Sequence, residues 1–208
     1  MGYLITFMAS MVVLCVFPFL VFGWDASPIL HGWNAQFTVS GGMSLTTLYE
    51  LTAGTYLLPG NWWLLGIAWL PAIFIAAILI PRGARGLVNL LKNSLVLILI
   101  FYLTRAWLSE QNLALILPMV LILVYLGELP RLTLSAVWIL PLIFTIFNTS
   151  PAQLLFPILP ELMARLLQWA DVFRSTRLVG RMLVVIPWQV AGWWIIVRNL
   201  RKGSTTPV

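Results

Sequence analysis

The sequence has little of what builds a soluble surface or a reactive centre. Of its 208 residues only 9% are charged, six of them Asp or Glu, and there is one cysteine (Cys15) and one histidine (His31). A single cysteine excludes an intrachain disulfide. One Cys and one His do not assemble a zinc site of the Cys/His type without several carboxylates. No metal or other cofactor is expected. Cys15 falls in the first apolar run and reads as a packed or lipid-facing residue. So few charges cannot clothe a soluble domain of this length. Internal repeats, heptads and low-complexity tracts are lacking as well.

What fills the chain is apolar. Hydrophobic residues make up 61% of it and the mean hydropathy is +0.98. Several runs approach the length needed to cross a hydrocarbon core of about 30 Å. They are continuous, with no period-two alternation, which argues against a barrel. The expected fold class is all-α: a single polytopic membrane domain of about six spans, at 3–23, 61–80, 93–108, 113–126, 132–147 and 182–197. The third and fourth are slightly short and are expected to extend into their polar junctions. The first lacks a basic leader and a small-residue cleavage site, so it reads as an uncleaved helix. Trp62 and Trp63 open the second as interfacial anchors.

Six spans place Arg82, Arg85, Lys92, Arg131, Arg198, Arg201 and Lys202 on one side, the cytoplasm by the positive-inside rule. Both termini are then cytoplasmic, in a chain expected in the plasma (inner) membrane. The net charge of +6 is accounted for by orientation, and no nucleic-acid partner is expected. Asp25, Glu50, Glu110, Glu161 and Asp171 fall on the outer side, leaving Glu128 inside. Any chemistry is therefore expected outside.

Two outer segments, 24–60 and 151–180, read as interfacial. In the first, Gly41 and Gly42 break the chain before a short helix capped by Ser44 and running to Leu58. That helix is expected to carry Leu45, Leu48, Leu51 and Tyr56 into the interface, with Glu50 between them. The second, with Pro157 and Pro160, reads as a re-entrant piece followed by an amphipathic helix, supported by the four-residue spacing of Glu161 and Arg165. Arg174, Arg177 and Arg181 recur at three and four residues and share a helix face. They suit either lipid headgroups or the phosphate of a lipid-linked substrate. The tail "RKGSTTPV" reads as disordered.

One stretch concentrates polar side chains between apolar runs: "YLTRAWLSEQNLALILP", residues 102–118. If span three continues through Asn112, then Arg105, Ser109 and Asn112 share a face, and Glu110 and Gln111 point elsewhere unless the helix breaks. Ionisable groups in a bilayer are costly unless paired, and mark functional sites. An outer hairpin with snorkelling side chains is the plainer alternative.

"LTRAWLSEQNLALILP" resembles a feature late in polytopic glycosyltransferases of the GT-C superfamily, notably the family 87 mannosyltransferase-like group using polyprenyl-phosphate sugars. There a span ends in a Ser-x-Gln stretch followed by a leucine-rich span ending in proline. Ser109, Gln111, Asn112, Leu113 and Pro118 are the matching positions. Upstream, "VFPFLVFGWDASPILHGWNAQFTVSGGMSLTTLYEL" also looks like that family, so the likeness covers about residues 1–150. The resemblance implies a polyprenyl-phosphate sugar donor bound at the outer face. Arg105, Arg174, Arg177 and Arg181 would stabilise the departing phosphate, and Gln111 and Asn112 would orient the sugar. Ser109 and Glu110 complete the implied binding set. Glu110 reads as a helix-junction residue before a base, and His31 as an interfacial side chain.

The family carries its catalytic acid in a first outer loop that has no counterpart here. Asp25 follows the wrong span for that role, so no catalytic residue is assigned. The implied role is the C-terminal membrane module of such an enzyme, with a second membrane subunit supplying the catalytic loop. A non-catalytic accessory protein of envelope assembly, or a small transporter or flippase, are the alternatives.

Overall fold

A computed structural model describes residues 39–80, 86–148 and 158–203, together with positions 5, 6, 9, 10, 13, 16, 17, 20–23, 25 and 27. The side chains at 61, 63, 111, 202 and 203 lie outside the description. So do Cys15, His31, Arg82, Arg85 and the expected re-entrant piece at 151–157.

The chain divides into two units, 1–36 and 37–208. In the first, the described positions from Ile5 to Phe22 are helical, as the first apolar run predicts. Gly23 then turns out of the helix with φ 62°. Beyond it Asp25 closes a small turn: Ser27 donates its backbone N–H to Oδ1 (2.8 Å) and its hydroxyl to Oδ2 (2.6 Å).

The second unit is mostly helical. Its helices are α1 (Thr47–Ala53), α2 (Trp63–Ile67), α3 (Trp69–Leu79), α4 (Leu87–Thr104), α5 (Leu117–Tyr125), α6 (Arg131–Phe147), α7 (Pro160–Val172) and α8 (Arg174–Gly203). Two short strands, β1 (Gly41–Gly42) and β2 (Trp107–Leu108), pair in parallel. α8 packs along α6 and α4, α3 lies against α4, and α5 against α6. The shared core is aliphatic: Leu95, Leu99 and Leu103 of α4, Val120 and Leu123 of α5, Phe144 of α6, and Val185, Trp188 and Ile195 of α8. Close approach needs small residues. A Cβ at Gly180 would come within 2.7 Å of the Phe147 ring, and one at Gly192 within 2.9 Å of Leu103.

α4 and α8 are long and apolar enough to cross a membrane, whereas the apolar helices at Leu64–Leu79, Asn112–Tyr125 and Arg131–Phe147 are shorter. Large apolar side chains also face outward: Phe74, Leu90, Leu132, Ile146, Leu183 and Val190 are all exposed.

Several boundaries differ from those expected. The third run forms a helix over Leu87–Thr104 and stops there, short of its polar junction. Arg105 is extended, with φ −76° and ψ 145°. The fourth opens with a 3₁₀ stretch, Glu110–Leu115, and its helix is only Leu117–Tyr125. The second carries a one-residue irregularity at Ala68, between Ile67 and Trp69, where the dihedrals stay helical (φ −57°, ψ −25°). The sixth lies within a helix that already begins at Arg174. α1 is shorter than the expected Ser44–Leu58 helix, because Gly54 turns left-handed at φ 68° and ends it. α7 buries none of its residues, in keeping with a helix that lies on an interface.

Candidate functional site

The helix stops at Thr104 because the chain beyond it has other partners. Gly41 N–H donates to the Ala106 carbonyl (3.2 Å) and Met43 N–H to that of Leu108 (2.8 Å). The hydroxyl of Ser44 donates to Arg105 O, and that of Thr46 to Ala106 O. Four donors from residues 41–46 thus serve the carbonyls that α4 would have used had it continued. Ser44 therefore stitches two segments together while its hydroxyl oxygen also accepts from Thr46 N–H at 3.4 Å in the turn leading into α1.

The stitching depends on Gly42. Its φ is +63°, and a Cβ there would sit 1.9 Å from the Leu108 carbonyl oxygen. Only glycine meets both conditions. Thr47 fastens the turn by donating its hydroxyl to Gly42 O (2.7 Å), and Gln189 of α8 reaches Met43 O (3.3 Å).

The last turn of α6 then gathers the polar groups. Phe144 lies under the Arg181 guanidinium, 5.3 Å from ring centre to Cζ. The Phe147 carbonyl accepts from Arg177 Nε (3.1 Å), and Asn148 Nδ2 donates to Glu110 Oε1 (3.2 Å). Arg181 Nη2 lies 3.3 Å from Glu50 Oε2, and both side chains are only 12% exposed. Gly41 lies against the pair: a Cβ there would be in contact with Glu50 Oε2 at 3.4 Å, the Trp107 ring at 3.7 Å and Arg181 Nη2 at 3.8 Å. Arg181 Nε is buried with no hydrogen-bond partner among the described residues.

The residues expected to form a site are therefore not equivalent. Arg174 donates to Gly54 O (3.1 Å), and Arg177 adds Ala170 O (2.7 Å) to its bond with Phe147 O. Both staple main chain. Arg181 alone of the three meets a carboxylate. Arg105 lies over the Phe101 ring at 4.9 Å, on the side of the extended segment where α4 ends. Ser109 ends that segment, its carbonyl accepting from Asn112 N–H (3.1 Å). The Asn112 carbonyl accepts from the Tyr102 hydroxyl (2.8 Å). The Gln111 side chain lies outside the described residues. Ser109, Asn112 and Arg105 do not share one helix face, because the helix breaks before them.

Glu50, Gly41, Gly42, Ser44, Thr46, Asn148 and Gln189 are the contributors that local pattern did not assign to this place. "SGGMS" carried a visible break, but its partner lies some sixty positions away. Among the described residues no group of His, Cys, Asp or Glu is arranged to hold a metal ion.

At the far end of α4 a second ion pair joins Lys92 Nζ to Glu128 Oε2 at 2.6 Å. Lys92 lies near the start of α4, and Glu128 in the turn joining α5 to α6. The two polar clusters thus occupy opposite ends of the same helices.

Neither the family models, nor the curated proteins, nor the solved structures compared with this chain match it.

Proposed function

We propose that the chain is an integral membrane protein of about six spans that binds a polyprenyl-phosphate-linked sugar at its extracytoplasmic end. It would act as the C-terminal membrane module of a glycosyltransferase, hexosyl or mannosyl, whose catalytic carboxylate comes from a second membrane subunit. The observation that carries this reading is the last turn of α6. It touches Arg181, Arg177 and Glu110 through Phe144, Phe147 and Asn148, next to the "SEQN" stretch on which the resemblance rests.

The orientation draws support from the separation of charge. Lys92 and Glu128 are paired at the end assigned to the cytoplasm, and Arg198 and Arg201 lie at the C-terminal end of α8. The shorter helices α2, α3 and α5, with their outward apolar side chains, complete the spans in this reading. The extended segment 105–109 is more tolerable at membrane depth because residues 41–46 meet the carbonyls of Arg105, Ala106 and Leu108, and Asn112 N–H meets that of Ser109. Arginine suits the phosphate of the donor because its planar fork matches two oxygens. Asn112 and Gln111 are the groups proposed to face the sugar.

A second reading, a non-catalytic accessory protein of envelope or glycolipid assembly, is favoured by Arg174 and Arg177. Their bonds to main-chain carbonyls are what a structural brace would show. The experiment that separates the two is sugar transfer in vesicles from a polyprenyl-phosphate sugar, with and without the membrane protein encoded beside this chain. Transfer requiring both chains is the expected result. Transfer by this chain alone would remove the need for a second subunit. No transfer in any combination, with stable co-purification, would favour the accessory role.

A further inference from the structure

Arg181 is the one arginine of its row whose contact can be exchanged for a ligand without unfastening the fold. Arg174 and Arg177 hold carbonyl oxygens of Gly54, Phe147 and Ala170, and releasing those would loosen α1, α6 and α7. Arg181 instead faces a side chain, the Glu50 carboxylate, at 3.3 Å. That distance is long for a charge-assisted contact, which is usually about 2.7–2.9 Å. The Nε of the same guanidinium is buried and makes no hydrogen bond to a described residue. A largely buried cation held by one long carboxylate contact and the face of Phe144, with a further donor idle, is incompletely compensated. The backbone at Gly41 packs close beside both charged groups, since a Cβ there would touch Glu50 Oε2 at 3.4 Å and Arg181 Nη2 at 3.8 Å.

We infer that Glu50 is the resident counter-ion of an oxyanion site on Arg181, displaced when the phosphate of a membrane lipid arrives. Phosphate offers two oxygens to the guanidinium fork and carries more charge than a carboxylate, so it completes what Glu50 leaves unmet. Glu50 is then a positioning residue: it keeps Arg181 folded over Phe144 (5.3 Å) while the site is empty. The inference rests on the reading of this end of the bundle as a lipid-phosphate site, and names its anchoring cation and that cation's placeholder.

The test uses the full chain in nanodiscs of zwitterionic lipid, with farnesyl phosphate as the probe and its phosphorus NMR shift as the readout. Arg181→Gln should weaken binding by about tenfold or more, the scale of one lost charge-assisted contact. Glu50→Gln should strengthen it by a similar factor, because the competing carboxylate is gone. A pair that is merely structural predicts the opposite sign for Glu50→Gln, or no change, and either result would overturn the inference.

Single variants leave a lone buried charge, so the double variant Glu50→Gln/Arg181→Gln serves as the folding control. It should elute as the wild type does and fail to bind; binding by it at wild-type strength overturns the inference. Competition by added phosphatidylglycerol would identify a headgroup phosphate as the source. Competition by inorganic phosphate alone would identify the free ion, and resistance to both a lipid-linked phosphate. Phosphate binding that depends on Arg181, without any sugar transfer, would leave this inference standing and sink the glycosyltransferase reading. Sugar transfer that survives with Arg181→Gln binding unchanged would do the reverse.

Discussion

The two ion pairs found among the described residues differ in ways that separate a structural contact from a site. Lys92 and Glu128 meet at 2.6 Å with side chains 14% and 30% exposed. Glu50 and Arg181 stand 3.3 Å apart with both side chains 12% exposed. The first pair is tight, partly wet and joins the start of α4 to a turn. The second is loose and drier, with a donor of Arg181 left without a partner. Burial raises the cost of incomplete pairing, so the looser contact in the drier place is the one expected to have a ligand.

The largest effect should come from breaking the mount of the outer pair. Gly42→Ala places a Cβ against the Leu108 carbonyl at a positive φ, which should cost about 3 kcal/mol or more. Thermal unfolding in detergent would show it, and a variant as stable as the wild type would mean that β1 and β2 are not held as described.

Next comes a direct comparison of the pairs by removing one partner from each. Arg181→Gln leaves a buried carboxylate alone and should cost about 3 kcal/mol, the low end of the range for a broken buried pair. Lys92→Gln, with a more exposed partner, should cost about 1 kcal/mol or less. Equal losses in chemical denaturation would erase the distinction drawn between the two ends.

Thr46→Val tests the stitch between the segments. It removes the hydroxyl that donates to Ala106 O and should cost about 1–2 kcal/mol. Faster amide exchange should appear in residues 105–109 first. Exchange accelerated only at the Lys92 end would contradict the assignment of that carbonyl's partner.

The smallest effect concerns a carboxylate in neither pair. Asp25 is held below its ordinary value of 3.8, first by the Ser27 hydroxyl and then by the Ser27 backbone N–H. A depressed carboxyl contributes stability above its ordinary pKa, and loses it as pH falls through the lowered value. Ser27→Ala should therefore move the Asp25 titration upward in carbon NMR. An unchanged midpoint would show that the hydroxyl bond is not made.

These contrasts also mark what the sequence can and cannot disclose. α6 over Arg131–Phe147 and the helical core of α8 are legible because their apolar runs are local and unbroken. The stop at Thr104 is less so, since the polar residues from Arg105 to Asn112 suit either a continuing helix or a hairpin. What ends it is a set of donors on residues 41–46, and such non-local pairing leaves no periodic trace. Ser44 shows the same limit: a serine before a helical run reads as a cap and does accept from Thr46 N–H, but nothing local discloses that it also donates to Arg105 O. The arginine row was visible from its spacing, but its division into two braces and one exchangeable contact came from Gly54, Ala170 and Phe147. Glu50 read as a polar break among leucines, with no local sign that Arg181 would face it.

The most direct test of the account is where a lipid phosphate touches the chain. A photoreactive polyprenyl phosphate, cross-linked to the chain in membranes and mapped by mass spectrometry, would report it. The account predicts adducts concentrated at 39–50, 105–112 and the first two turns of α8. Adducts concentrated at Trp194, Arg198 and Arg201, or spread evenly over the outward apolar faces, would contradict it.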